Sequence, residues 1–149
     1  MVKILFVCHG NICRSPMAEF VMKDLVEKAG VDAYIASAAT STEEIGNTVH
    51  RGTKMKLAEF GISTDGKYAV QLTRGDYEKY DYIIGMDSVN IRRILQIVGE
   101  DKENKVSKLL SFANSDKDIA DPWYTGNFDE TYEDVLNGCQ ALLKQITEE

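Results

Sequence analysis

The stretch Lys3-Ile4-Leu5-Phe6-Val7-Cys8-His9-Gly10-Asn11-Ile12-Cys13-Arg14-Ser15-Pro16 decides the fold. Lys3 to Val7 is a short continuous apolar run, the pattern of a strand buried on both faces in a parallel sheet. Cys8 to Ser15 reads as the loop that follows, and Pro16 suits the first turn of a helix. Ala18, Val21, Met22, Leu25, Val26 and Ala29 then recur at spacings of three and four, with Gly30 as the stop. The unit is a strand, a tight loop and an amphipathic helix.

The alternation continues outward from it. Tyr34 to Ala38 reads as a strand, Thr53 to Phe60 as a helix closed by Gly61, and Tyr82 to Met86 as a third strand. Val89 to Val98 is helical with Gly99 as its stop, and Val106 to Leu110 supplies a fourth strand. A polar stretch from Ser111 to Asn127 precedes a last helix with Tyr132, Val135, Leu136, Cys139, Leu142, Leu143 and Ile146 on one face. Strands separated by helical crossovers predict an α/β fold, a doubly wound four-stranded parallel sheet with helices on both faces. In such sheets ligands bind beyond the carboxyl ends of the strands, which is where Cys8 to Ser15 lies. The 149 residues, 44% of them hydrophobic, suffice for one core, and no repeat or linker divides them, so one domain over 1–149 is expected.

Composition narrows the function. A formal charge of -7 argues against a nucleic-acid binder, which needs a clustered basic surface. The apolar run before Cys8 is far too short for a signal peptide or a membrane span, so a cytoplasmic protein is expected. Three cysteines, Cys8, Cys13 and Cys139, make no disulfide framework, and a reducing compartment keeps them available for chemistry.

Cys8 and Arg14 stand six positions apart on the loop. A loop that curls back on itself aims consecutive N–H groups inward as an anion nest, and the helix N-terminus adds partial positive charge. His9, Gly10, Asn11, Ile12, Cys13 and Arg14 would line that nest, with Gly10 and Asn11 taking the positive backbone angles the curl requires. Arg14 can grip two phosphate oxygens at once. The same surroundings favour a thiolate nucleophile at Cys8, to which Ser15 can donate a hydrogen bond. A nucleotide-binding P-loop would need a Gly-Lys-Ser/Thr ending, which is absent.

Val7-Cys8-His9-Gly10-Asn11-Ile12-Cys13-Arg14-Ser15-Pro16-Met17-Ala18-Glu19 resembles the signature of the low-molecular-weight protein-tyrosine phosphatases, and the similarity extends over essentially the whole chain. The resemblance implies a hydrolase that cleaves phosphotyrosine through a cysteinyl-phosphate on Cys8, with Arg14 holding the phosphoryl group and no metal or organic cofactor. Its partners would be phosphotyrosine-containing proteins, not nucleic acid or membrane, met by a monomer. Asp121-Pro122-Trp123-Tyr124 fits the family's general-acid motif, and expelling a tyrosine oxyanion does call for a carboxylic acid. Trp123 and Tyr124 would wall a slot for the phenyl ring. At the facing wall, where the family often has an aromatic residue, this chain has Glu43, followed by Glu44.

In the family the loop asparagine is held by a network that includes a serine, matched by Ser37, and a histidine, whose position Lys67 occupies. Asn11, Ser15 and Ser37 are therefore expected to order the loop, and Lys67 is not. His9 and His50 are expected to be surface or packing residues. Some bacterial members act on phosphoarginine and resemble this chain except for a threonine at the position of Ile12. Thioredoxin-coupled arsenate reductases share the fold and loop, but need further redox cysteines in a segment that here, from Gly85 to Lys105, has none. Cys13, five positions from Cys8, is placed to form a disulfide with it if the loop relaxes.

Overall fold

The computed structural model describes residues 1–148. The buried N-terminal run forms β1 (Val2–Cys8), followed by α1 (Arg14–Ala29), β2 (Ala33–Ala39), α2 (Arg51–Ala58), α3 (Asp76–Lys79), β3 (Tyr82–Gly85), α4 (Ser88–Val98), β4 (Val106–Lys108), a 3-10 turn at Leu109–Ala113, α5 (Pro122–Thr125) and α6 (Phe128–Glu148). All four strands are parallel, in the order β2-β1-β3-β4. The chain leaves β1 toward one side for β2 and later reaches the other side for β3, so the carboxyl end of β1 is the switch point where a crevice opens.

Strand alternation sorts β1 between two cores. Ile4, Phe6 and Cys8 pack with Met17, Val21 and Met22 of α1, Leu57 of α2 and Val135, Cys139 and Leu142 of α6. Leu5 and Val7 face the opposite side, against Ile94 and Val98 of α4 and Tyr77 of α3. Helices therefore cover both faces, as the crossover pattern predicts.

Element boundaries shift for local reasons. The first helix begins at Arg14, two residues before Pro16, because a proline within the first turn lacks only an N–H that would go unpaired anyway. It ends at Gly30, whose φ of 67° is the left-handed conformation that glycine adopts without a Cβ penalty. The second helix runs from Arg51 to Ala58, capped by His50 Nδ1, which accepts from the Gly52 N–H at 3.0 Å. The fourth strand stops at Lys108 and does not reach Leu110. Leu109 and Leu110 instead turn into the core, and a Cβ on Gly138 of α6 would lie 2.4 Å from Leu109 Cγ, so the helix can approach only there. Two one-turn helices, α3 and α5, lie in stretches where the sequence shows no helical period.

Candidate active site

The loop between β1 and α1 is held from outside by its carbonyls. The Thr40 and Ser41 N–H groups donate to the carbonyls of Cys8 and His9 at 3.0 Å each, the His50 N–H to that of Ile12 at 2.8 Å, and the Thr53 hydroxyl to that of Cys13 at 3.2 Å. A loop whose carbonyls face outward turns its N–H groups inward. Two of these, from Asn11 and Ser15, reach Cys8 Sγ at 3.3 and 3.4 Å, and the Ser15 hydroxyl lies 3.0 Å from the same sulfur. Asn11 takes the single positive φ of this loop, 59°. Gly10, expected to share it, does not. Its missing Cβ instead makes room for the Glu44 side chain, whose Cγ would stand 3.3 Å from one.

Asn11 repays its strained backbone with a fully used side chain. Its Oδ1 accepts from the Val70 N–H at 3.1 Å, and its Nδ2 donates to Ser15 Oγ at 2.8 Å and Ser37 Oγ at 2.9 Å. Asn11, Ser15 and Ser37 are thus tied together in the manner expected. Lys67 overturns the expectation made for it. Its Nζ donates to the Ser37 carbonyl at 2.9 Å and lies 3.6 Å from Glu19 Oε1, which in turn accepts from the Ser37 hydroxyl at 2.5 Å. The lysine stem spans the gap to the carboxylate.

Arg14 is 3% exposed and anchored at one edge. Its Nη1 donates to Asp87 Oδ2 at 2.6 Å and to the Ile119 carbonyl at 2.9 Å, while Nη2 is 3.6 Å from Asp121 Oδ2. Burial works to lower the guanidinium's pKa, but Cys8, Asp87 and Asp121 outweigh it and raise it, so Arg14 stays cationic. Asp87 has two tasks: Oδ1 accepts from the Asn90 N–H at 2.7 Å to cap α4, which leaves Oδ2 for Arg14. Asp121 caps α5 through the Trp123 N–H at 3.0 Å. Asp87 and Glu19 are the site residues that sequence reasoning missed. A helix cap after β3 is legible in Asp87-Ser88-Val89-Asn90, but not that its second oxygen meets an arginine 73 residues earlier.

Cys8, His9, Gly10, Ile12, Cys13, Arg14, Glu43, Glu44, Asp121, Trp123 and Tyr124 line one slot of about 130 Å³, so the sequence-predicted residues converge on a single site. Trp123 and Tyr124, 56% and 83% exposed, stand at one wall, and His9, paired with Glu43 at 3.0 Å, stands with it at the rim. His50 is a packing residue: it stacks on Phe128 at 5.3 Å and meets the edge of Trp123 at 5.5 Å. Ile12 packs with Cys13, Ala69 and Phe128 beneath the slot. Cys139 lies fully buried on α6, with its sulfur toward the Ala18 carbonyl.

Burial, followed by the nearby charges of Cys8 and Asp121, pushes the Cys13 thiol up to about 12. Iodoacetamide at pH 7 is therefore expected to alkylate Cys8 and to spare Cys13 and Cys139, read by mass spectrometry of the digested peptides. Peroxide would convert the Cys8 thiolate to a sulfenic acid, and attack by Cys13 sulfur would then release water and form a disulfide. On that account thiol restores oxidised wild type but not Cys13→Ser. Equal recovery of both proteins would leave Cys13 a packing residue.

The family model described as low molecular weight phosphotyrosine protein phosphatase matches residues 3–149. The low molecular weight protein-tyrosine-phosphatase YfkJ of Bacillus subtilis is 41% identical over 153 residues, covering 100% of this chain and 98% of that one. The crystal structure of YfkJ aligns with a TM-score of 0.93 over 99% of this chain and 96% of that one. That of SP-PTP, a low molecular weight protein tyrosine phosphatase from Streptococcus pyogenes, aligns at 0.88 with 42% identity over 97% and 93% of the two chains. A Drosophila arginine phosphatase aligns at 0.89 with 28% identity over 97% and 98%.

Proposed function

Because the chain belongs to the low molecular weight phosphotyrosine protein phosphatase family, we propose that it hydrolyses phosphotyrosine in proteins, with Cys8 as nucleophile, Arg14 as phosphate clamp and Asp121 as general acid and base. The observation that carries the reading is the convergence of the Asn11 and Ser15 N–H groups and of the Ser15 hydroxyl on Cys8 Sγ at the floor of the slot. Donors placed there favour negative charge on sulfur both before attack and when sulfur departs.

In the first step Cys8 Sγ attacks phosphorus and the P–O bond to the phenol breaks, the phenolic oxygen leaving with the proton of Asp121. In the second, Asp121 takes a proton from water as that water attacks phosphorus, and the P–S bond breaks to return the thiolate and inorganic phosphate. Arg14 binds the phosphoryl oxygens throughout with the edge not committed to Asp87. No helix among the described residues is long and apolar enough to cross a membrane, and all three cysteines are free, which supports the cytoplasm as the setting.

The aromatic wall and Ile12 favour a flat phenolic ester. Stacking against Trp123 and Tyr124 is worth about 0.5 to 1.5 kcal/mol per ring pair beyond burial, whereas a phosphorylated guanidine or a serine ester offers no phenyl ring. Ile12 also narrows the floor where a threonine would leave room and a hydroxyl to place water. Phosphotyrosine peptides are expected to exceed phosphoserine and phosphoarginine peptides in kcat/KM by about tenfold or more, and Ile12→Thr to shift the ratio toward phosphoarginine. A wild type that prefers phosphoarginine would overturn the reading in favour of the activity for which the Drosophila relative is named.

A further inference from the structure

We infer that His50 and Phe128 are positioning residues for substrate choice: their stacked rings hold Trp123 as the fixed wall of the slot and tie that wall to the phosphate loop. The inference deepens the phosphotyrosine reading and rests on it. Neither His50 nor Phe128 lines the slot, so both act through Trp123.

Trp123 needs support from outside its own element. It is 56% exposed on α5, a single helical turn, and an isolated turn of that length does not hold its own shape. Its ring meets that of His50 edge to face, at 5.5 Å and 74°, and His50 in turn lies flat on Phe128, at 5.3 Å and 15°. Both arrangements are ones that the ring quadrupoles favour. Tyr124, 83% exposed, has no such ring partner among the described residues, which leaves Trp123 as the ordered member of the wall.

The two supporting rings are themselves locked by the start of α2. His50 Nδ1 accepts from the Gly52 N–H at 3.0 Å, so the imidazole cannot turn about its Cβ–Cγ bond without giving up the helix cap. Phe128 lies against the backbone of the same turn. A Cβ on Gly52 would stand 2.2, 2.4 and 2.5 Å from three atoms of that ring, an approach that only glycine admits. This turn also carries the phosphate loop, through the His50 N–H on the Ile12 carbonyl at 2.8 Å and the Thr53 hydroxyl on that of Cys13 at 3.2 Å. Phe128 packs on the Ile12 and Cys13 side chains as well. Floor and wall therefore share one support, and the gap between them, which a phenyl ring has to match, is set at α2.

Two substitutions separate the ring from the cap. His50→Asn keeps the cap, because asparagine is a favoured N-cap whose oxygen can take the Gly52 N–H, and removes the platform under Trp123. KM for a phosphotyrosine peptide should rise about three- to tenfold with kcat within about twofold, the range expected for one aromatic pair. Acetyl phosphate, which has a good leaving group and no ring, should keep its KM within about twofold. His50→Phe keeps a ring and loses the cap, so the peptide KM should stay near wild type while the melting midpoint falls by about 2 to 4 °C. Trp123 is the one tryptophan of the chain, so intrinsic fluorescence reads the wall directly. Acrylamide should quench it more strongly in His50→Asn than in wild type or His50→Phe. Unchanged quenching in His50→Asn would overturn the inference, and so would an unchanged peptide KM. An equal rise in KM for acetyl phosphate would overturn it too, because it would mean damage to the phosphate loop. A wild type that turns over acetyl phosphate but not phosphotyrosine would remove the proposed function instead, and the quenching comparison would still decide whether the stack holds Trp123.

Discussion

Cys8→Ser is expected to lower turnover of p-nitrophenyl phosphate below about one part in 10⁴ of wild type while leaving inorganic phosphate binding intact. The hydroxyl is a far weaker nucleophile than a thiolate, but it occupies the same place, so the inward N–H groups and Arg14 still meet the anion. The companion variant separates chemistry from charge. Arg14 uses Nη1 on Asp87 and the Ile119 carbonyl, which leaves the rest of the planar fork for phosphate. A lysine has one ammonium at the end of its stem. In Arg14→Lys that group would be drawn to Asp87, and the expected loss is about 10²- to 10³-fold in kcat, with phosphate affinity falling as well. More than a few per cent of activity in Cys8→Ser would sink the nucleophile assignment. Unaltered phosphate affinity in Arg14→Lys would sink the clamp.

The parts of this site legible in the sequence are those whose cause is local. A buried run, a loop with Cys8 and Arg14 at a fixed spacing, and a proline in the first helical turn together specify where an anion would sit before any tertiary contact is known. The crossover order and the two-faced burial of β1 follow from periodicity in the same way. Where the reading stopped short, the cause lies between elements. Val106 to Leu110 follows α4 where the alternation calls for a strand, yet Leu109 is claimed by the gap that Gly138 opens on α6. No window of sequence contains both.

Glu19 shows why the supporting network was read incompletely. Glu19 and Lys23 are four apart on α1, the usual pattern of a solvated surface pair. Only the packing of β2 against that helix buries the glutamate and brings Ser37 onto it. At the family's histidine position this chain has a lysine, and residue identity alone does not extend the network to it. The loop carrying it nevertheless brings its Nζ to the Ser37 carbonyl, and the requirement there is for a donor near a carboxylate, which either side chain meets.

Asp121→Asn is expected to slow phenyl phosphate by about 10²- to 10⁴-fold and p-nitrophenyl phosphate far less in the first step. The substitution is conservative in shape: the amide oxygen can still accept from the Trp123 N–H, so α5 and the aromatic wall it carries stay in place. What disappears is the proton. A phenol with pKa of about 10 is a poor leaving group as its anion, whereas p-nitrophenolate spreads its charge into the nitro group and departs without help. Asp121 has a second task, accepting a proton from the water that attacks the phosphoenzyme, and this task is independent of the leaving group. The variant should therefore release a rapid burst of p-nitrophenol equal to the enzyme present, followed by slow steady turnover, while phenyl phosphate gives no burst. Equal losses on both substrates without a burst would remove Asp121 from the acid role and leave it as the cap of α5 and a neighbour of Arg14.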